Sequence, residues 1–269
     1  MNKWLGFVLI LVASFLVLAF SIGGGFGNKP NSSRLNAVPL AHFAHRAGDA
    51  VLPENTAEGV SRSLALGYDG VEIDIHATSE GVFVLLHDDS CQRVLGIGGT
   101  VDQHAFAELE DLPLRNHTVP TDLRIARLDS VLSHYGDSLL FYLDIKVIGS
   151  DQADSIARLI ERFAPTENVL IASSSIPFIT WLEFHHPDLN TVLEGFDKGE
   201  EWTWWLFPKN FRPDLVSSFD DEVDEEHVAW LREHDLLGNK LVYGMDSAGY
   251  VRMRSLGITR YIVDEGMGR

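Results

Sequence analysis

An α/β fold on a mostly parallel sheet, most simply a closed eight-stranded (β/α)8 barrel, is what this sequence predicts. Three observations carry it. Short apolar runs alternate with segments of helical spacing along most of the chain, the pattern of repeated βαβ units. The 269 residues, 45% of them hydrophobic, suffice for one such barrel or for two smaller domains. Charged and imidazole side chains stand where apolar runs end, and barrel sites are built at the C-terminal ends of strands.

The first element is an appendage. Leu5 to Ile22 is 18 uncharged residues, which as a helix measures roughly 27 Å and spans a bilayer. A cleaved signal peptide usually has a shorter apolar core, and no A-x-A cleavage site closes this one. Residues 1–22 therefore read as a transmembrane or signal-anchor helix, 23–37 as a flexible linker rich in Gly and Ser, and 38–269 as the barrel. The reading is a single-pass, membrane-anchored protein with its barrel on the extracytoplasmic (periplasmic) side, although Lys3 on one flank and Lys29 with Arg34 on the other give the positive-inside rule little to act on.

In the barrel region, strand Leu40–Ala44 runs into His45-Arg46, and after a loop Glu54-Asn55-Thr56 opens a helix that Gly67 stops. Strands Gly70–Ile75 and Val82–Leu86 flank the turn Thr78–Gly81, and residues 88–127 are irregular with a short helix at Gln103–Asp111. Then come helix Leu128–Tyr135, strand Ser138–Val147, helix Gln152–Phe163, strand Asn168–Ser173, helix Pro177–His185 and strand Asn190–Glu194. Strand Asp214–Ser218, helix Glu222–Glu233, strand Lys240–Met245, helix Gly249–Leu256 and strand Arg260–Asp264 complete the series. Nine strands are one more than a closed barrel of eight needs, so one is extra. The turn at Thr78–Gly81 is also too short for a helical crossover, so parallel strands around it require an extended return segment.

Charge excludes one class of partner. Residues 1–34 hold three basic residues and no acid, leaving 18 Lys/Arg against 39 Asp/Glu, a net charge of −21 on the rest. Such a surface repels nucleic acid and gains nothing from anionic lipid headgroups. The lone Cys91 allows no internal disulfide.

The chemistry lies mostly between His45 and Asp88. Glu72 and Asp74 are two apart on a strand and share a face. With Asp144, itself followed at the same spacing by Lys146, they make a three-carboxylate oxygen set that suits one divalent cation, Mg²⁺ or Ca²⁺, better than zinc. His45 and His87 end apolar strands, and imidazole is the group matched to proton transfer near neutral pH. Arg46 and Lys146 bring positive charge for a phosphoryl group. No G-x-S-x-G elbow, Walker loop or helix-opening G-x-G-x-x-G is present, so the set points to phosphodiester cleavage. The run Glu201–Pro208 holds three of the six tryptophans, either core packing or a hydrophobic lip toward a bilayer or acyl chain. The acidic run Asp220–Glu226 reads as a solvated helix start.

In this order His45-Arg46, Pro53-Glu54-Asn55-Thr56, Glu72-x-Asp74, His87-Asp88 and Asp144-x-Lys146 closely resemble the glycerophosphodiester phosphodiesterase family, from Leu40 to Asp264. The resemblance implies a TIM barrel, a divalent metal on Glu72, Asp74 and Asp144, His45 and His87 as general acid and base, and phosphate contacts from Arg46 and Lys146. The implied products are an alcohol and sn-glycerol 3-phosphate. Asp144 stands where the family most often has Glu, which looks similar to its membrane-anchored, lysophospholipid-cleaving branch. Ala47 stands where many members have Gly, and with five residues after Asp264 the family's usual final helix is expected to be missing or vestigial. Expected partners are thus a glycerophosphodiester or a lysophospholipid, and a membrane through the N-terminal helix. The alternatives are a lysophospholipase D that releases the headgroup alcohol, and a degenerate barrel that only binds phosphorylated glycerol.

Overall fold

Alternation within the apolar runs decides which side chains enter the barrel, because successive residues of a strand point to opposite faces. The computed structural model describes residues 34–48, 51–146 and 149–267, so the expected anchor at 1–22, most of the linker and Val147 lie outside the described residues. Among the described residues no helix is long and apolar enough to cross a membrane. The sheet has nine strands: β1 (Ala41–Ala44), β2 (Gly70–Ala77), β3 (Phe83–Leu85), β4 (Leu140–Ile145), β5 (Val169–Ser173), β6 (Asn190–Glu194), β7 (Leu215–Phe219), β8 (Lys240–Tyr243) and β9 (Arg260–Val263). Its order is β1-β9-β8-β7-β6-β5-β4-β2-β3, and a further β1–β2 pairing closes the ring. Eight strands run parallel, which makes the (β/α)8 or TIM barrel.

The extra strand is β3. It lies antiparallel on the end of β2, with Ile75 opposite Leu85 and Ala77 opposite Phe83. A parallel return after Ile75 is therefore not formed. The turn that is too short for a crossover is the right length for a hairpin, in which Thr78 N–H donates to the Val82 carbonyl at 2.9 Å.

Two apolar layers follow from the alternation. Phe43, Leu140, Tyr142, Leu170, Val192, Leu215 and Leu241 fill the interior, while Val71, Ile73, Phe141, Leu143 and Ile171 pack outward against the helices. A third cluster, including Cys91, Val94, Leu109 and Leu114, lies under the excursion after β3. At Gly70 a Cβ would sit 2.6 Å from the Phe43 ring and 2.6 Å from the Leu140 carbonyl oxygen, so β1, β2 and β4 meet only because the side chain is missing.

The helices are α1 (Ala57–Ala65), α2 (Phe106–Leu109), α3 (Leu128–Tyr135), α4 (Ser150–Phe163), α5 (Ile176–His185), α6 (Glu225–Glu233) and α7 (Ser247–Leu256). Thr56 caps α1 by accepting from Gly59 N–H at 3.0 Å, and Asp224 caps α6 by accepting from His227 N–H at 2.9 Å. The acidic run is thus divided: Asp220–Glu222 forms a 3-10 turn and the α-helix starts three residues later than the sequence predicts. Helix α2 is four residues, shorter than the expected Gln103–Asp111, because Val101–Gln103 forms a separate 3-10 turn. After β6 the chain makes two 3-10 turns, Glu201–Leu206 and Lys209–Phe211, where β4, β5, β7 and β8 are each followed by an α-helix. The core-packing reading of its tryptophans holds for one of the three. Trp204 is buried against Phe196, while Trp202 and Trp205 are each 59% exposed.

Candidate active site

The inward face of β2 carries the acids. Glu72 and Asp74 alternate with Val71, Ile73 and Ile75, and since those three pack outward the two carboxylates point into the barrel. Register then supplies the third: Asp74 lies beside Asp144 on β4. One oxygen from each of Glu72, Asp74 and Asp144 lies within 4.8 Å of the others. Glu72 and Asp74 are 5% and 1% exposed.

Burial raises the Glu72 carboxyl well above its usual range, and the charges of Asp74 and Asp144 add to it. Burial also raises Asp144, with Lys146 opposing. The Lys146 amine lies 3.0 Å from Asp74 Oδ1 and contacts Asp144. Burial disfavours the lysine's charge, but the two aspartates outweigh it and raise the amine above its usual range. Three converging carboxylates against one ammonium leave an excess of hard negative donors, so the residues present fit a hard divalent cation.

The β1 end turns sharply. Arg46 and Ala47 have φ of 49° and 57°, in the left-handed region that favours glycine. The turn aims the Arg46 backbone N–H at Glu72 Oε2, 2.7 Å away. Asn55, with φ of 58°, clasps the other acid: its Nδ2 donates to Asp74 Oδ2 at 2.8 Å and its Oδ1 accepts from Asp74 N–H at 2.9 Å.

Both histidines are held at Nδ1 by a carboxylate. His45 pairs with Asp264 Oδ1 at 2.8 Å, and that bond holds the Asp264 carboxyl below its usual range. His87 pairs with Asp88 Oδ1 at 2.9 Å. In turn, Arg93 grips Asp88 through Nε and Nη2 at 2.6 and 2.8 Å, and this holds the Asp88 carboxyl far below its ordinary value. The same Nη2 donates to Glu54 Oε1 at 2.5 Å, and Glu54 Oε2 accepts from Arg46 Nη1 at 3.1 Å. Burial works against ionised Glu54, yet the two arginines outweigh it and hold the group below its usual range. Glu54, His87 and Asp88 also approach one another as cation ligands do, but the Arg93 guanidinium already bridges the two carboxylates.

All seven residues singled out from sequence, His45, Arg46, Glu72, Asp74, His87, Asp144 and Lys146, line one cavity of about 330 Å³. Sequence reasoning did not assign Asp264, Arg93, Asn55, Tyr142 or Glu194. Glu54 and Asn55 were visible in the Pro53–Thr56 motif without a role, while the distant Asp264 left no local signal. Glu194 ends β6 and accepts from the Tyr142 hydroxyl at 2.7 Å, and the same hydroxyl bonds Ser217 Oγ at 2.9 Å. Burial, reinforced by Asp144, pushes the Glu194 carboxyl up to about 8.

Comparison with known proteins finds phosphodiesterases. Human glycerophosphodiester phosphodiesterase 1 is 25% identical over 147 residues, 53% of this chain and 44% of that protein. A glycerophosphodiester phosphodiesterase of Caldanaerobacter subterraneus is 29% identical over 137 residues, 49% of this chain and 56% of that one. The chain thus spans about half the length of these relatives. Among solved structures, an Oleispira antarctica phosphodiesterase in complex with the product sn-glycerol-3-phosphate superposes with a TM-score of 0.73 at 17% identity, over 84% of this chain and 94% of that one. A glycerophosphodiester phosphodiesterase from Agrobacterium tumefaciens gives 0.69 at 20% identity, over 83% and 95%. At such identity these two speak for the fold alone. The model of the glycerophosphoryl diester phosphodiesterase family matches residues 45–166. That match takes in all seven residues singled out from sequence, so over residues 45–166 the chain is similar to the glycerophosphoryl diester phosphodiesterase family.

Proposed function

We propose that this chain is a metal-dependent phosphodiesterase that hydrolyses glycerophosphodiesters to an alcohol and sn-glycerol 3-phosphate. One observation carries the reading: three buried carboxylates, two carboxylate-anchored imidazoles and two basic side chains share a single cavity. Glu72, Asp74 and Asp144 would hold one Mg²⁺ or Ca²⁺. When bound, that ion supplies positive charge against the anionic phosphoryl oxygens.

The chain's own groups do the rest. Arg46 and Lys146 bind the phosphate and orient it. One imidazole of the pair His45 and His87 takes a proton from the nucleophile, either water or the neighbouring hydroxyl of the substrate glycerol. The other gives a proton to the departing alcohol oxygen. Asp264 and Asp88 accept from Nδ1–H, which leaves Nε2 on both rings as the nitrogen that takes up or gives the reacting proton.

The test is choline release from glycerophosphocholine with Mg²⁺ or Ca²⁺, beside the same assay with lysophosphatidylcholine. Chelator-sensitive turnover of the first supports the reading, and turnover of the second alone favours a lysophospholipase D. His45→Ala and His87→Ala should each lose at least ~10²-fold in kcat. Near-normal turnover in both variants would falsify the assignment. The uncharged run Leu5 to Ile22 supports a membrane anchor, which fails if the full chain leaves the membrane fraction in high salt without detergent.

A further inference from the structure

Part of the cavity wall has no task in the chemistry above. Glu194, Phe219 and Tyr243 are the last residues of β6, β7 and β8, three strands that neighbour one another in the barrel. In the closed ring of eight, β7 stands four strands from β2 in either direction, so this arc faces the acids of β2 across the barrel. Phe219 is 53% exposed although it lines the cavity, and it meets Tyr243 in a T-shaped contact with centroids 4.5 Å apart. Gly244, with φ of 76°, makes room: a Cβ there would lie 2.6 Å from the Phe219 ring.

The arc also carries a carboxyl group with no cationic partner among the described residues. Among the described residues Glu194 is the one cavity carboxylate outside the Glu72, Asp74 and Asp144 group. Its partner, the Tyr142 hydroxyl, is neutral, and burial holds that phenol protonated. Among the described residues no Lys, Arg or His forms an ion pair with it. A carboxylate flanked by aromatic rings in a sheltered pocket favours one ligand chemistry, a cation too large and too weakly hydrated to prefer water, as in aromatic cages for quaternary ammonium groups.

We propose that Glu194, Phe219, Tyr243 and Tyr142 form a subsite for a quaternary ammonium headgroup, so that the preferred diesters carry choline. The inference rests on the diesterase reading and names the substrate class of the same site. A cation beside Glu194 favours its ionised form, so the ligand itself offsets the burial that raises this carboxyl. A choline group could arrive on a soluble diester or on a lysolipid.

The experiment compares kcat/KM for glycerophosphocholine and the neutral-headgroup glycerophosphoglycerol, then for lysophosphatidylcholine and lysophosphatidylglycerol, using the full chain with Mg²⁺ or Ca²⁺. The expected result is a choline preference that falls roughly tenfold in Glu194→Gln and in Phe219→Leu, mainly through KM. The substrate pair that shows the shift identifies the source. Because the readout is a ratio within one preparation, it is insensitive to the folded fraction. Tetramethylammonium binding to the metal-loaded protein, followed by calorimetry, separates the two ideas. Binding that Glu194→Gln abolishes, without turnover of any diester, supports the subsite and sinks the diesterase reading. Turnover without choline preference, or a ratio unchanged in both variants, overturns the subsite and leaves the diesterase.

Discussion

Each histidine of the cavity is held by a partner far less conspicuous than itself. Asp264 reaches His45 from 219 residues away, and Asp88 reaches His87 from the next position. The two pairs differ in support. Asp88 is gripped by Arg93, which is held by Glu54, which also holds Arg46, so the His87 imidazole and the Arg46 guanidinium belong to a single hydrogen-bonded chain. Asp264→Asn should therefore lower kcat at least tenfold with little change in metal affinity, since an amide no longer fixes the tautomer of His45. Arg93→Ala should lower kcat and also raise KM, because Glu54, which holds Arg46, and Asp88, which holds His87, both lose their brace. If kinetics show Arg93→Ala to be silent in both constants, the chain from Arg46 to His87 has no functional role.

At the scale of elements, two local devices set the geometry. The N-cap of α1 fixes where the Pro53–Thr56 motif ends and the helix begins, and Thr56 is fully buried there. Thr56→Ala should destabilise by about 1 kcal/mol in denaturant unfolding, the usual worth of such a cap. Gly70 lets β2 close against β1 and β4. Gly70→Ala forces a methyl group onto the Phe43 ring and the Leu140 carbonyl, so a loss of about 1–3 kcal/mol is expected, the range for overpacking a tight core. A variant as stable as the wild type would mean that this part of the barrel yields more easily than its packing implies.

For the whole molecule, gathering acids into one cavity ties stability to pH. Glu72, Asp144 and Glu194 all have raised pKa values, so between the unfolded value of about 4.5 for Glu and the higher folded value, the native state binds more protons than the unfolded chain. Stability from these groups thus falls as pH rises through that window. Buried His76, His227 and Lys240 have lowered values and act with the opposite sign, Lys240 only above about 7. A difference between variants isolates the acids. The metal-free Glu72→Gln protein should gain melting temperature relative to wild type as pH rises from about 4.5, and should lose most of the stabilisation that Mg²⁺ or Ca²⁺ gives the wild type. Parallel melting curves at every pH, with and without ion, would count against the carboxylate cluster as a cation site.

The sequence by itself determined the barrel's rhythm and the seven residues at its heart. Periodicity is local, and Glu72-x-Asp74, His45-Arg46 and His87-Asp88 declare their shared faces or strand-end positions within two or three residues. What tertiary structure alone decided is everything that depends on closure. It made β3 the antiparallel outlier, set Asp144 beside Asp74, and turned Asp264 toward His45. It also laid Glu194, Phe219 and Tyr243 along one arc. The reason is physical: a strand's pattern states which side chains share a face, but their neighbours across the sheet follow from register and ring closure, which no short stretch of chain encodes.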